Sequence, residues 1–286
     1  MVNSFDFQNK NQGLIYLVAL VIYNLVGAIG AVVVELLGAQ GIVSTVIFSL
    51  FPPIAFILTG LIFKPQTRIV YLSVKQKLCY KSLIFSILIS IGMLFAFGYI
   101  NLVFGEFLAS IGIRSSSSSI VINGFSDYIL LVFFVGVLPA IFEEFFFRGL
   151  LLTANKSISS LFAIVISALA FSLYHGSVSM LIYQFIYGLV LGYVFIKTSN
   201  LLYGIIIHFL NNFIVLSFEY FNLVLIDIWY LIVMGGVITL IGLYGIYKTH
   251  KKLDKTKGKS SLYFFIPYGV IALIFSIFTV ILGVIL

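Results

Sequence analysis

Nine long stretches of this chain are almost continuously apolar, and no other feature limits its fold so strongly. They run Leu14–Leu37, Ile42–Phe63, Leu83–Phe104, Tyr128–Leu152, Leu161–His175, Val178–Ile196, Leu201–Phe218, Leu223–Tyr247 and Leu262–Leu286. A helix needs about 20 such residues to cross the hydrocarbon core of a bilayer. Backbone polar groups in lipid must be satisfied internally, which leaves helices or closed barrels. Barrel strands alternate apolar and polar positions, and these runs do not. The expected fold class is an all-α polytopic membrane protein of about nine transmembrane helices, with eight as the alternative count. Composition agrees. Hydrophobic residues make up 62% of the chain and charged residues 9%, against roughly 45–50% and about 25% in soluble domains. A water-soluble body with so few polar side chains could not cover its surface. Cys79 is the single cysteine, which excludes a disulfide scaffold.

The net charge of +7 reads as a topology signal and not as a nucleic-acid footprint. Lys64, Arg68, Lys75, Lys77 and Lys81 lie between the second and third runs, and Lys248, Lys251, Lys252, Lys255, Lys257 and Lys259 between the eighth and ninth. Lys156 follows the fourth run and Lys197 the sixth. Basic residues favour cytoplasmic loops. Nine spans with a cytoplasmic N-terminus put all of these loops on that side, leaving Arg114 outside with Glu106, Asp127, Glu219 and Asp227. Only Lys10 precedes the first run, which is too long for a signal-peptide core and reads as a retained helix. The tract Ser115–Ser119 reads as a flexible linker. These features divide the chain into N-terminal helices and an outer loop (1–124), a four-helix core (125–218) and two C-terminal helices joined by a basic loop (219–286).

Charged groups inside a span cost several kcal/mol, so the few present are informative. Glu35 sits near the outer end of the first run, within reach of the interface. Most of the others concentrate in the fourth to seventh runs: Glu143, Glu144, Arg148, His175 and His208, with Asn212 as a neutral companion. Adjacent helical residues point about 100° apart, so Glu143 and Glu144 cannot face one small site equally. Glu144 and Arg148 are four apart and share a face, so they can pair. That pairing leaves Glu143, flanked by aromatics, as the candidate general base. His208 and Asn212 are also four apart and can project toward one point. A glutamate, two histidines and an asparagine from three helices can hold and activate a water, directly or on a metal ion such as zinc. The third histidine, His250, falls in the basic loop and reads as a solvated bystander.

Other uses exist for each of these groups. A buried Glu–Arg pair also serves as structural glue, a membrane histidine as a packing residue, and Glu with His as a proton relay. A non-proteolytic membrane scaffold or regulator and a proton-coupled transporter are therefore the alternatives. A transporter usually carries an internal repeat, and none is visible here.

In order and spacing, Glu143-Glu144 to Arg148, Phe171 to His175, and His208 to Asn212 resemble the CAAX protease and bacteriocin-processing intramembrane peptidases, also called the CPBP or Abi family. Gly149, Gly188, Gly192, Tyr193, Thr198, Ser199 and the lead-in Asn200-Leu201-Leu202 match as well. The likeness spans roughly residues 125–218. It implies an intramembrane endopeptidase in which Glu143 activates the hydrolytic water with help from His175. It further implies that His208 and Asn212 complete the site as oxyanion stabilisers or, if a metal is used, as zinc ligands with Glu143 and His175. The implied partners are the lipid bilayer and a membrane-bound peptide or protein substrate. Of the 16 basic residues only Arg68, Arg114 and Arg148 are arginine. That lysine bias points to an AT-rich bacterial genome, and for bacterial members the resemblance implies peptide processing or bacteriocin immunity at the cell membrane. One expectation cuts across this reading. Counting along the helices puts Glu143 in the inner half of the fourth and His175 near the outer end of the fifth, on the order of 20 Å apart at 1.5 Å per residue.

Overall fold

A computed structural model describes residues 12–64, 73–74, 76–113, 122–154, 160–223, 229–250 and 268–285. Lys10, Arg68, Lys75, Arg114, the tract Ser115–Ser119, Lys156, Asp227 and the lysines from 251 to 259 lie outside the described residues. Among the described residues the protein is entirely helical. Its helices are α1 (Gln12–Leu36), α2 (Gly41–Ile62), α3 (Tyr80–Ser110), α4 (Phe125–Leu151), α5 (Ser160–Tyr174), α6 (Leu181–Thr198), α7 (Leu201–Tyr220), α8 (Trp229–Thr249) and α9 (Tyr268–Ile285). Seven of them are long and apolar enough to cross a membrane. The other two are α5, with 15 residues, and α9, whose apolar segment Tyr268–Ile281 is counted as shorter. The protein is a polytopic integral membrane protein. Helix α2 breaks at Leu50, just ahead of Pro52 and Pro53, because proline cannot supply the amide that would continue the turn before it.

Polar contacts gather the basic ends of the helices. Gln12 donates to the Leu151 carbonyl at 2.9 Å, tying the start of α1 to the end of α4. The Asn200 amide donates to the Gln76 carbonyl at 3.2 Å, and the Cys79 amide donates to the Tyr203 hydroxyl at 2.6 Å. Ser82 and His250 meet at 2.8 Å. Lys77, Lys81, Lys197 and Lys248 therefore collect at one end of the bundle, while Glu35, Glu106 and Glu219 close helices at the other. His250 is not a solvated bystander, as its place in a basic loop suggested. It is half-buried, bonded to Ser82 and set edge-on to the Tyr203 ring at 6.4 Å.

The largest core cluster fills the lysine end of the bundle. Phe146, Phe147, Leu150 and Leu151 of α4 pack there against Leu191 and Phe195 of α6 and Tyr203 of α7. From α2, Phe56 stacks on Phe146 with centroids 4.5 Å apart. Helix α8 seats on α3 through a seam of small residues. A Cβ on Gly92 would stand 2.6 Å from the Thr239 amide nitrogen, and one on Gly235 would stand 2.6 Å from that of Ala96. Lipid supplies no hydrophobic drive to join two helices, so such backbone approach is how they associate.

Candidate active site

Glu143 and Glu144 end a short α-helical stretch, Leu138–Glu144, bracketed within α4 by π-helical stretches at Val132–Val137 and Phe145–Leu151. Pro139 has no amide hydrogen for the preceding turn, and the first wide stretch lies there. Wide turns of this kind are frequent at functional sites. Here they set the paired carboxylates between two changes of helical register. Both carboxylates are buried.

Glu144 forms the inner layer. Its Oε1 accepts from Arg148 Nη1 at 2.8 Å and lies 3.1 Å from His208 Nδ1, with Glu144 and Arg148 fully enclosed. The Arg148 guanidinium also donates to the Gly188 carbonyl at 3.3 Å and lies over the Phe171 ring, 4.4 Å from its centroid. A charged arginine buried in apolar surroundings is tolerated only when so paired. Gly204 makes room for this layer, since a Cβ there would stand 2.8 Å from Glu144 Oε2.

The partners of the two imidazoles settle their tautomers. His175 Nδ1 lies 2.7 Å from the Phe171 carbonyl, which can only accept, so Nδ1 carries the hydrogen. The same holds for His208 Nδ1 against the Glu144 carboxylate paired with Arg148. Both rings therefore turn Nε2 lone pairs toward Glu143, whose Oε2 is 3.9 Å from His175 Nε2 and 3.8 Å from His208 Nε2. That oxygen is buried and has no hydrogen-bond partner among the described residues. Phe171 stands edge-on to both rings, 4.7 Å from His175 and 5.9 Å from His208. This explains a phenylalanine one turn before the histidine: the ring packs on Arg148 and both imidazoles together.

The expected separation on the order of 20 Å between Glu143 and His175 is thereby corrected. Ser167 of α5 donates to the Phe147 carbonyl of α4 at 2.9 Å and sets the register of the two helices. From that level His175 is eight residues outward and Glu143 four, an offset of about 6 Å at 1.5 Å per residue. Side chains span that distance. Counting from nominal helix ends had no such reference point.

Glu143, Glu144, Arg148, His175 and His208 thus form one contiguous cluster. Asn212 stands one turn outward from His208, with its amide donating to the Val135 carbonyl at 3.3 Å in the first wide stretch of α4. Its neighbour Asn211 accepts from the Tyr183 hydroxyl at 2.6 Å. Tyr187, which sequence reasoning passed over, lies edge-on to His208 with centroids 5.7 Å apart, its hydroxyl buried and without a hydrogen-bond partner among the described residues. It sits one residue before Gly188, and that adjacency to a matching glycine was the only signal for it.

The chemistry of the donor set fits a zinc ion, with a carboxylate oxygen and two imidazoles each anchored through Nδ1–H. The spacing is looser than zinc requires, because ligands at 2.0–2.1 Å from a tetrahedral centre stand roughly 3.3 Å apart. Among the described residues no group of three His, Cys, Asp or Glu side chains is drawn together closely enough to hold an ion.

Residues 125–214 match the family model described as type II CAAX prenyl endopeptidase Rce1-like. Comparison with curated proteins and with solved structures finds no match. The matched segment contains α4, α5, α6 and most of α7, and so holds every residue of the cluster. The segment of this membrane protein that carries the cluster, residues 125–214, is thus similar to the Rce1-like type II CAAX prenyl endopeptidases.

Proposed function

We propose that this chain is an intramembrane endopeptidase that hydrolyses a peptide bond of a membrane-associated peptide or protein, using a water activated by Glu143. The observation that carries this reading is the meeting of Glu143 Oε2 with two imidazole Nε2 atoms at 3.8 and 3.9 Å, all three turned to one point as acceptors. A water there can give its hydrogens to two of the three and turn an oxygen lone pair to an incoming carbonyl. Glu143 takes a proton as that oxygen attacks the scissile carbon, and returns it to the leaving amine when the carbon–nitrogen bond breaks. His175 supports the same water. Protonation at Nε2 would let His208 donate to the tetrahedral oxyanion, with its ring held by Glu144 and the charge of Glu144 balanced by Arg148. Asn212, one turn outward, completes the site on the substrate side.

Where zinc takes part, Glu143, His175, His208 and Asn212 would hold it, and it would polarise the scissile carbonyl as a Lewis acid. The lysine bias of the chain supports a bacterial cell membrane, and the resemblance to bacterial members of the CPBP family supports a role in peptide processing or bacteriocin immunity. Glu143→Ala, His175→Ala and His208→Ala are expected to abolish cleavage without loss of membrane insertion. Mass spectrometry of membrane-bound peptides in cells carrying each variant reads the outcome, and wild-type peptide profiles in all three would refute the proposal.

A further inference from the structure

The side from which a substrate enters can be read from how exposure is distributed along four helices. Side-chain exposure falls from 20% at His175 to 7% at Glu143 and 5% at His208, and to zero at Glu144 and Arg148. The same gradient runs along each helix. On α6 the residues from Tyr187 toward the lysine end are mostly buried, while Leu181 to Ile186 are partly open. On α7 the switch comes after Asn211, and on α5 it comes at Tyr174. Inward of the cluster, Phe146, Phe147, Leu150 and Leu151 are fully enclosed. The lysine end is thus plugged by the core. At the opposite end Tyr128, Leu131 and Leu216 close the α4–α7 side, and the turn between α5 and α6 is what stays partly exposed.

Helix α5 explains why. Fifteen residues rise about 22 Å at 1.5 Å each, against ~30 Å of hydrocarbon. With the 18 residues of α6 rising about 27 Å on the other side of it, the turn at 175–180 lies just inside the outer edge of the hydrocarbon. Non-helical backbone at that depth is tolerated only where protein or a water-lined cavity receives it. The turn is partly exposed and carries Ser177 and Ser179, whose hydroxyls meet at 3.0 Å. His175 opens on it directly.

We infer that substrate reaches Glu143 through a notch above the 175–180 turn, from the end of the bundle opposite the lysines, and that its scissile bond lies in the extracytoplasmic, membrane-proximal part of a membrane-anchored peptide. The inference rests on the endopeptidase reading for the word substrate, and on the lysines for the word extracytoplasmic. Its geometry needs neither. Cys79 provides an internal reference, because it caps α3 at the lysine end and its thiol is held below the ordinary value by the Ser82 amide at the helix start.

Thiol labelling tests this without any requirement for cleavage. His175→Cys and Ser179→Cys are each placed in a Cys79→Ser background and expressed in intact cells, beside the wild type. A membrane-impermeant maleimide is expected to label both introduced cysteines in intact cells, and Cys79 only after permeabilisation. If His175→Cys fails to fold, Ser179→Cys reads the mouth of the same notch. Labelling of the introduced cysteines only from the Cys79 side, or from neither side, would overturn the inference. A protein labelled as expected but inactive on every peptide would refute the endopeptidase reading and leave the notch standing.

Discussion

Glu143 and Glu144 are adjacent in sequence and opposite in circumstance. Glu144 is fully enclosed, paired with Arg148 at 2.8 Å and placed 3.1 Å from His208, whereas Glu143 Oε2 faces two imidazoles beyond hydrogen-bond distance. The two carboxylates should therefore fail differently when changed. Glu143→Gln keeps the shape and removes the base, and is expected to lower turnover by roughly 10²–10⁴-fold, the usual share of general acid–base catalysis, with an unchanged melting profile in detergent. Arg148→Ala leaves a buried carboxylate without its counter-charge and should destabilise the fold by about 3–5 kcal/mol, as breaking a buried pair does. Thermal denaturation separates the two outcomes. Gly204→Ala belongs with the second, since its Cβ would press on Glu144 Oε2 at 2.8 Å. At this scale the sequence revealed more than expected. Scarcity of charge singled out Glu143, Glu144, Arg148, His175 and His208, the five that meet in space, while the direction of the Asn212 amide toward Val135 depends on a wide helical turn that no spacing rule announces.

Among the elements, the register of α4 on α5 is marked by the hydrogen bond from Ser167 to the Phe147 carbonyl and by the seat of Phe171 under Arg148. A serine in an apolar run gives no hint of its partner, so helix registers were illegible even where helix positions were clear. The seam of α3 and α8 was hidden for the same reason, because glycines in a membrane helix do not say which neighbour they admit. Gly92→Leu should part these helices, and a lowered melting temperature with retained membrane insertion would show it. The Ser82–His250 contact at the lysine end of that seam carries a pH dependence. Burial pushes the His250 imidazole below its ordinary value of 6.5. The folded state thus binds its proton less readily than the unfolded chain, and stability from this contact is present above pH 6.5 and lost as pH falls through the lower folded value. The wild type should lose more thermal stability between pH 7.5 and 5.5 than His250→Asn does, and equal losses would contradict this.

At the scale of the whole molecule, apolar runs and lysine placement were enough to draw the helices and their alternation, because lipid leaves the backbone few options. They could not show where along the bundle the buried core stops, which follows from packing. The same packing buries Glu143 and His208 above the core at the lysine end and leaves His175 partly exposed toward the other end. Hydrolysis in heavy-oxygen water tests this account most directly. The purified protein in proteoliposomes, given membrane-anchored peptides in H₂¹⁸O, is predicted to leave one ¹⁸O in each newly formed C-terminal carboxyl, and Glu143→Gln to leave essentially none. Labelled product from Glu143→Gln at the wild-type rate would contradict it.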